Sequence, residues 1–350
     1  MKMKHIPHFK TNSVMESFGL MPDGEGVSVC ELANKNGMQM KVMGYGATLT
    51  SLKVPLKNGA LVDVVLGFDT LDAYLQSFNL QSPPYLGATV GRFAGRINKG
   101  EFKLNERTIS LNKNNNGNAL HGGALGFSQK KWKIKKRTQG KNPSVTFTYF
   151  SADREEYFPG ELSVDLTYML SDENELIIEY IASTTEDTII NLTHHSYFNL
   201  NGHQASVANQ EIRVNSQQIL ETTTSGIPTG RFLDVANCPF DFTSARTSPS
   251  KIDTTFVLKK GIEYAASLYN SDKTLKMSVY TNQPAVHIYI GGNCFNSIKG
   301  KENANYHSTS GICFETQNFP DAPNHEHFPT SVLRKGELYY HKTIYKFQSF

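Results

Sequence analysis

The sequence predicts an all-β protein built as one large antiparallel β-sandwich. Many short segments rich in strand-forming residues alternate between apolar and polar side chains, and Asn, Gly, Asp or Pro bounds them. Helical periodicity is scarce, and no low-complexity linker divides the 350 residues. Because β-sandwiches often exceed the usual domain size, we expect a single domain over residues 21–350. Residues 1–20 show no clear hydrophobic period, so we expect a loose N-terminal arm there.

Two predicted hairpins carry the strongest strand signals. Residues 52–55 and 62–66 flank the turn Lys57-Asn58-Gly59-Ala60, whose Asn-Gly pair is typical of a hairpin. Residues 162–168 and 176–181 alternate with period two on either side of a polar stretch. Each pair is expected to form two adjacent antiparallel strands.

The other predicted elements are weaker. Turn residues bound four further candidate strands, at residues 144–150, 211–214, 275–280 and 286–290. Residues 70–78 are predicted to form a short helix or a turn. The basic run over residues 130–137 alternates as an exposed strand would, and it either keeps that face solvated or docks an acidic partner.

Composition excludes several classes of protein. The formal net charge of +3 is spread over the chain, which argues against a nucleic-acid partner. The four cysteines, Cys30, Cys238, Cys294 and Cys313, form no CxxC pair, so we expect free and mostly buried thiols. The start lacks the apolar run of a secretory signal, and no later stretch is apolar enough to cross a bilayer. We therefore expect a cytoplasmic protein with no membrane partner.

Motifs for cofactor or metal chemistry are missing from the sequence. It has no Gly-rich phosphate loop, no HExxH, no ordered Cys/His spacing and no GxSxG. His325 and His327 flank Glu326 and offer a metal pair, but such a pair in a loop is usually solvated. We expect neither a cofactor nor a metal ion.

Two residues, His195 and Glu315, are the candidates for proton transfer. His195 lies where apolar residues meet a polar segment that includes Ser196, Tyr197 and Asn199, which can hydrogen-bond sugar hydroxyls. Glu315 interrupts an apolar run. Burying a carboxylate on such a strand costs desolvation energy, so it indicates a functional role or a charged partner. The alternative for His195 is a structural histidine, and the alternative for Glu315 is a buried salt bridge.

Three further residues are candidates for binding a ligand. His121 precedes Gly122-Gly123, where a ligand or another backbone segment can approach closely. The Arg96 guanidinium suits vicinal hydroxyls or a carboxylate, although an ordinary surface ion pair is equally consistent with the pattern. Asp253 either accepts hydrogen bonds from hydroxyls or caps a turn.

These segments together resemble the aldose 1-epimerase (galactose mutarotase) family. The motifs that carry the resemblance follow the family's order: Gly91-Arg92-Phe93-Ala94-Gly95-Arg96-Ile97, Leu120-His121-Gly122-Gly123, Tyr157-Phe158-Pro159-Gly160, Asn191-Leu192-Thr193-His194-His195-Ser196-Tyr197-Phe198-Asn199-Leu200, Pro239-Phe240-Asp241-Phe242 and Phe314-Glu315-Thr316-Gln317-Asn318-Phe319-Pro320-Asp321. The resemblance implies a large antiparallel β-sandwich that interconverts the α and β anomers of free sugars without a cofactor.

The resemblance also implies a role for each matching residue. Glu315 would take the proton from the C1 hydroxyl, and His195 would protonate the ring oxygen. Arg96, His121 and Asp253 would hold the sugar. His287 falls where the family commonly places a sugar-contacting Gln, and Gly95 and His194 stand where Asn is usual.

Two other functions compete with anomer interconversion. One is a non-catalytic sugar-binding protein on the same fold, since a fold does not fix activity. The other is an enzyme for a related carbohydrate, either a hexose phosphate epimerase or a glycosidase, in which Asp253 or Asp321 would supply a second carboxylate. The substrate is expected to be a free aldose, and the protein a monomer or homodimer.

Overall fold

The computed structural model describes residues 16–236, 238–259, 261, 263–292 and 296–350. In chain order, the strands and the α-helix are β1 Glu16–Leu20, β2 Gly26–Ala33, β3 Gln39–Met43, β4 Thr48–Pro55, β5 Leu61–Asp63, α1 Leu71–Ser77, β6 Thr89–Val90, β7 Arg96–Ile97, β8 Glu101–Leu104, β9 Arg107–Ser110, β10 Ala119–Leu120, β11 Lys133–Thr138, β12 Ser144–Ser151, β13 Leu162–Leu170, β14 Glu175–Thr184, β15 Thr188–Ile189, β16 Thr193–His194, β17 Tyr197–Phe198, β18 Glu211–Val214, β19 Gln218–Thr222, β20 Pro228–Asp234, β21 Arg246–Thr247, β22 Ile252–Val257, β23 Ala266–Tyr269, β24 Leu275–Thr281, β25 Ala285–Ile290, β26 Ile312–Gln317, β27 Val332–Leu333 and β28 Tyr339–Ser349. Short 3₁₀ turns lie at Asn98–Gly100, Phe127–Gln129, Glu155–Tyr157, Lys301–Asn303 and Ala322–Asn324.

Three large antiparallel sheets dominate the described residues. The first is a five-stranded meander in the order β1-β2-β3-β4-β5. The second has nine strands in the order β11-β12-β13-β14-β28-β24-β23-β18-β21, and the third has six in the order β17-β26-β25-β22-β19-β20. The β-sandwich predicted from the sequence is confirmed.

The core forms where apolar residues of the three sheets meet. Leu52 of the five-stranded sheet, Leu166 of the nine-stranded sheet and Phe314 of the six-stranded sheet belong to one cluster of buried side chains. Along β13, buried residues such as Leu166 alternate with more exposed ones such as Asp165, because successive side chains of a strand point to opposite faces. The alternation seen in the sequence therefore reports which face is buried.

Most of the predicted elements are confirmed. The strands β12, β18, β24 and β25 cover the four weaker predictions, and β13 pairs with β14 as the predicted hairpin. Strand β4 pairs with β5, although β5 ends at Asp63. The predicted short helix is α1, whose first turn is capped by the Thr70 side chain. The basic run ends in β11, which is mostly exposed.

The predicted N-terminal arm differs from the structure at its end. Glu16–Leu20 forms β1 at the edge of the five-stranded sheet, whereas residues 1–15 lie outside the described residues. The Phe18 ring packs at 6.1 Å from Tyr74 of α1, a tertiary contact that so short a segment cannot signal by periodicity. Cys30, Cys238 and Cys313 are free thiols as expected, and Cys294 lies outside the described residues. None of the helices in the described ranges has the length and apolarity to cross a membrane.

Candidate active site

The outer face of the six-stranded sheet forms the floor of the candidate site. Period-two alternation turns Val286, Ile288 and Phe314 toward the core, so His287 and Glu315 point to the other face. The strand register then aligns side chains in two rows across the sheet. One row is Thr255, His287 and Glu315, and the other is Asp253, Tyr289, Cys313 and Tyr197.

His195 and Glu315 meet over this floor. The Nε2 atom of His195 lies 3.6 Å from Oε1 of Glu315, and both side chains are buried, at 7% and 4% exposed. The backbone of His195 pairs with the segment around Gly87, donating to the Ala88 carbonyl and accepting from the Gly87 N–H. The structure thus brings together the two groups that the sequence nominated for proton transfer.

Aromatic rings enclose the His195 imidazole. The ring centroids of Tyr197, His121, Tyr85 and Tyr289 lie 5.2, 5.6, 5.7 and 6.3 Å from it. On its remaining edge, Nδ1 of His195 lies 3.5 Å from the Cys313 sulfur. Packing on several sides leaves the ring little freedom to rotate.

His121 occupies a tight turn against the backbone of Gly91. Its φ angle is +52°, and a Cβ on the following Gly122 would lie 1.9 Å from the Gly91 carbonyl oxygen, so only glycine fits there. Nδ1 of His121 accepts a hydrogen bond from the Gly95 N–H at 3.2 Å. Burial, with the nearby positive charges of His195 and Arg96, holds the pKa of His121 well below its usual value. A neutral His121 therefore carries its proton on Nε2, where it can donate to a ligand.

Arg96 is half-buried and forms no ion pair with another residue of the described ranges. Its Nε donates to Oδ1 of Asn115 at 3.1 Å, and its backbone carbonyl accepts from the Asp321 N–H at 2.8 Å. The adjacent Gly95 has a φ of +79°, and a Cβ there would lie 2.9 Å from Pro320. A side chain at position 95 would therefore require Pro320 to shift.

Asp253 and His287 form a charged pair beside Glu315. Nε2 of His287 lies 3.0 Å from Oδ1 of Asp253, and Nδ1 lies 2.8 Å from the Thr255 hydroxyl. Burial lowers the pKa of His287, but the hydrogen bond to Asp253 and the charges of Asp253 and Glu315 outweigh burial and raise it. Burial raises the pKa of Asp253, but His287, Arg96 and His121 outweigh that effect and lower it to about 2. Each group therefore favours the charged form of the other.

The other predicted site residues have different surroundings. Tyr197 packs against His195 and is buried, which raises its pKa well above the usual value. Ser196 is buried, and its Oγ has no hydrogen-bond partner among the described residues. His194 points away from His195, as adjacent strand residues should, and packs edge-to-face against Tyr168 with ring centroids 5.6 Å apart.

Asp321 and the His325/His327 pair serve other contacts. Asp321 accepts hydrogen bonds from the Asn98 backbone and the Asn324 side chain. Its carboxylate also lies 3.4 Å from Nε2 of His325, whereas Nε2 of His327 lies 2.7 Å from the Gly230 carbonyl oxygen. The two imidazoles thus have separate partners instead of facing one metal position.

One group of side chains within the described residues could hold a metal ion such as zinc. It consists of His195, Cys313 and Glu315, whose donor atoms lie within 4.8 Å of one another. The closest contacts involve different ring nitrogens, since Cys313 lies against Nδ1 and Glu315 against Nε2. A metal ion would take one of these nitrogens, whereas in the structure each nitrogen lies against its own protein partner. The geometry suits a histidine held between two partners better than a metal centre.

A cavity of about 590 Å³ lies elsewhere, on the outer face of the five-stranded sheet. Two buried charges in its wall, Lys301 and Asp63, form an ion pair of 2.7 Å. Lys41 and Glu31, also in its wall, contact each other in the same way. These four charges are therefore paired with one another, whereas the described residues of the wall include no histidine to exchange protons near neutral pH.

Several site residues were missed by sequence reasoning. Cys313, Tyr289 and Thr255 share the outer face with Glu315, His287 and Asp253 because each lies two residues away on the same strand. Period two could therefore have identified them. Tyr85 and Asn115 lie in loops, which carry no such signal.

Comparisons with known proteins agree with the sequence and the geometry. A family model described as aldose 1-epimerase matches residues 28–346. Galactose mutarotase of Homo sapiens is 38% identical over 342 residues, covering 94% of this chain and 97% of the relative. Aldose 1-epimerase of Escherichia coli K12 is 32% identical over 349 residues, covering 95% and 98%.

Solved structures give the same result. An aldose epimerase homologue from C. elegans superposes with a TM-score of 0.84 at 29% identity, covering 92% of this chain and 99% of the homologue. Galactose 1-epimerase from Lactobacillus acidophilus superposes with a TM-score of 0.81 at 27% identity, covering 94% of this chain and 96% of that structure. The fold, the site and these relatives lead to one conclusion: the chain belongs to the aldose 1-epimerase family.

Proposed function

We propose that this protein is an isomerase that interconverts the α and β anomers of free aldohexoses such as galactose and glucose. The observation that carries the proposal is the 3.6 Å contact between Glu315 and His195 in a buried site. The hydroxyl oxygen and the ring oxygen of a pyranose are both bonded to C1. A base for the hydroxyl and an acid for the ring oxygen must therefore lie close together, as Glu315 and His195 do.

The reaction needs only proton transfers and one bond rotation. Ionised Glu315 takes the proton of the C1 hydroxyl while protonated His195 gives a proton to the ring oxygen, and the bond between C1 and the ring oxygen breaks. The open-chain aldehyde turns about its C1 to C2 bond. His195 then takes the proton back from the C5 hydroxyl, Glu315 returns its proton to the carbonyl oxygen, and the ring closes. Each well-placed transfer contributes about 10² to 10⁴ in rate.

Four polar side chains are proposed to hold the sugar hydroxyls. Arg96 and the Nε2–H of His121 would donate hydrogen bonds to the sugar hydroxyls. Asp253 would accept one through the carboxylate oxygen that does not contact His287. His287 takes the position of a sugar-contacting Gln and brings a positive charge with it. Ser196 and Tyr197 complete the proposed set, with Tyr197 acting through its packing on His195.

Two alternatives are less well supported. A non-catalytic sugar-binding protein would not need a base and an acid in contact, and a hexose phosphate epimerase does not match the relatives, which are named for galactose or aldose. We further propose that the enzyme works in the cytoplasm as a monomer or homodimer, as one domain that adds β1, Glu16–Leu20, to the predicted residues 21–350. It would need no cofactor, nucleic acid or membrane.

Polarimetry tests this proposal directly. The optical rotation of freshly dissolved α-D-galactose and α-D-glucose should relax faster with the protein than without it. The catalysed rate should follow a bell-shaped pH profile, since one group must be ionised and the other protonated. No acceleration with either sugar would refute the proposal, and a flat profile across neutral pH would refute paired proton transfer.

A further inference from the structure

We propose that Cys313 is a positioning residue for His195: its side chain holds the imidazole edge at Nδ1, so that Nε2 faces Glu315 and the sugar. This inference rests on the proposed function and names a further residue of the same site. The structural basis is the contact of 3.5 Å between the Cys313 sulfur and Nδ1.

One strand provides both partners of the imidazole. Cys313 and Glu315 lie two residues apart on β26, so their side chains project from the same face of the sheet. The imidazole of His195 spans them, with Nδ1 at 3.5 Å from the thiol and Nε2 at 3.6 Å from the carboxylate. A rotation of the ring would break both contacts at once.

Cys313 itself is fixed in place. It is fully buried and paired across the sheet with Tyr197 on one side and Tyr289 on the other. Both tyrosine rings also pack against His195. Strand register and ring packing therefore fix the sulfur relative to the imidazole.

The thiol also suits the chemistry of an acid that must release its proton. Burial, with a smaller contribution from Glu315, raises the pKa of Cys313 well above its usual value, so the sulfur keeps its proton at neutral pH. A neutral thiol is a weak hydrogen-bond acceptor and stabilises an imidazolium far less than a carboxylate would. The Nε2 proton therefore remains easy to transfer to a weakly basic ring oxygen.

Other groups around His195 also bear on its protonation. The titratable side chains that face it are Glu315 and Cys313 from β26, Tyr197 from β17, Tyr289 from β25, Tyr85 and His121. His194, its neighbour in sequence, points away from it, and the two imidazoles interact only through their charges. Of these, only Cys313 and Glu315 have polar contacts with the ring nitrogens among the described residues. A change at Cys313 therefore alters the Nδ1 side without removing the base.

The test compares kcat and KM of four proteins by polarimetry. Cys313→Ala should lower kcat by about 10- to 100-fold with little change in KM, because a misplaced catalytic group slows the chemistry more than it weakens binding. Cys313→Ser should restore most of kcat, since a hydroxyl can make the same contact. Cys30→Ala is the matched control: Cys30 is buried in the core and lies away from the site, so kcat should not change.

The pH profile separates positioning from a merely structural role. In Cys313→Asp, a carboxylate beside Nδ1 would stabilise the imidazolium, so the alkaline limb of the kcat profile should move to higher pH by about one unit or more. Cys313→Asn, which is neutral but a stronger acceptor than a thiol, should give a smaller shift in the same direction and replaces Asp if that variant does not fold.

Several results would overturn the inference. They are a wild-type kcat in Cys313→Ala, a lowered kcat that Cys313→Ser does not restore, and an unmoved alkaline limb in both Cys313→Asp and Cys313→Asn. An inactive wild-type protein would instead refute the proposed function.

Discussion

Arg92 and Arg96 lie four residues apart in one motif, yet they serve opposite purposes. Arg92 is only 1% exposed, and its guanidinium donates to the carbonyls of Pro159 and Gly160 and to the Ser151 hydroxyl. It also packs at 5.6 Å from the Phe158 ring. Three residues of the Tyr157-Phe158-Pro159-Gly160 motif, Phe158, Pro159 and Gly160, are thus partners of Arg92.

Arg96 and its neighbours retain unused hydrogen-bonding capacity. Arg96 donates from Nε to Asn115, which leaves the terminal nitrogens of the fork for other acceptors. His121 keeps Nε2–H, and Asp253 keeps an oxygen beyond its contact with His287. Both regions bury charge, but both terminal nitrogens of Arg92 donate to protein groups and only its Nε lacks a partner among the described residues. At Arg96 the order is reversed, since Nε is bonded and the terminal nitrogens are left for a ligand. The useful signal is therefore which atoms of a charged group remain unpaired, not whether any do.

The largest expected effect comes from removing the proton-transfer groups. Glu315→Gln and His195→Asn should each lower kcat by about 10² to 10⁴ in polarimetry. Because the two groups act in one concerted sequence, the double variant should be hardly slower than the more impaired single variant. Melting temperatures near that of the wild type would show that the loss is chemical. A kcat within a few-fold of the wild type in either single variant would contradict the assignment.

Arg92→Met should show the reverse behaviour. The substitution leaves the carbonyls of Pro159 and Gly160 without their charged donor, and we expect a loss of about 3 kcal/mol in the free energy of unfolding. The kcat of the folded fraction should remain close to that of the wild type, measured well below the melting temperature. A large loss of kcat with unchanged stability would place Arg92 in the active site and remove the contrast with Arg96.

Sequence reasoning was most reliable for the regular strands. The hairpin of β13 and β14 was predictable because each strand buries one face against the core and exposes the other, which produces period two. Strand β1 was missed because five residues at a sheet edge carry little of this signal. The two-residue strands such as β16 and β17 are set by tertiary pairing, which a local pattern does not encode.

The site was predictable in part. The family motifs located His195 and Glu315, but no local pattern places Asp253 beside His287, since strand register sets that contact. Cys313 was counted among the buried thiols, and its contact with Nδ1 depends on how the chain approaches β17. Residues on regular strands could be paired by register once the sheet order was known. Tyr85 and Asn115, on loops, could not.

The Asp253 and His287 pair provides a prediction of intermediate size. The pKa of Asp253 is lowered to about 2, and the pKa of His287 is raised because Asp253 and Glu315 favour the charged imidazole. As the pH rises through the pKa of His287, Asp253 loses its charged partner, so KM for the sugar should rise by about three- to tenfold. His287→Gln, which has no charge to lose, should have a KM that is independent of pH over this range. A KM equally flat in the wild type would show that the pair does not order the sugar contacts.

The smallest expected effect is at His194, which precedes His195 in the chain and points to the opposite side. His194 is 4% exposed, and neither ring nitrogen has a hydrogen-bond partner among the described residues. Burial, with a smaller effect of His195, lowers its pKa to about 3. His194→Phe removes two unsatisfied polar atoms at similar volume and should raise the free energy of unfolding by about 1 kcal/mol, with kcat unchanged.

A second buried histidine supplies the control for this prediction. His341 is also buried with a pKa of about 3, but its Nε2 lies 3.0 Å from the hydroxyls of both Thr316 and Thr343. His341→Phe should therefore destabilise the protein, since two buried hydroxyls lose a partner. The gain in His194→Phe should grow as the pH falls below about 6.5, because unfolded wild-type protein then binds a proton that the folded His194 cannot accept. A loss of stability in His194→Phe equal to that in His341→Phe would show that both imidazoles have partners. In that case His194 would have no unsatisfied nitrogens, and its substitution would give no gain in stability.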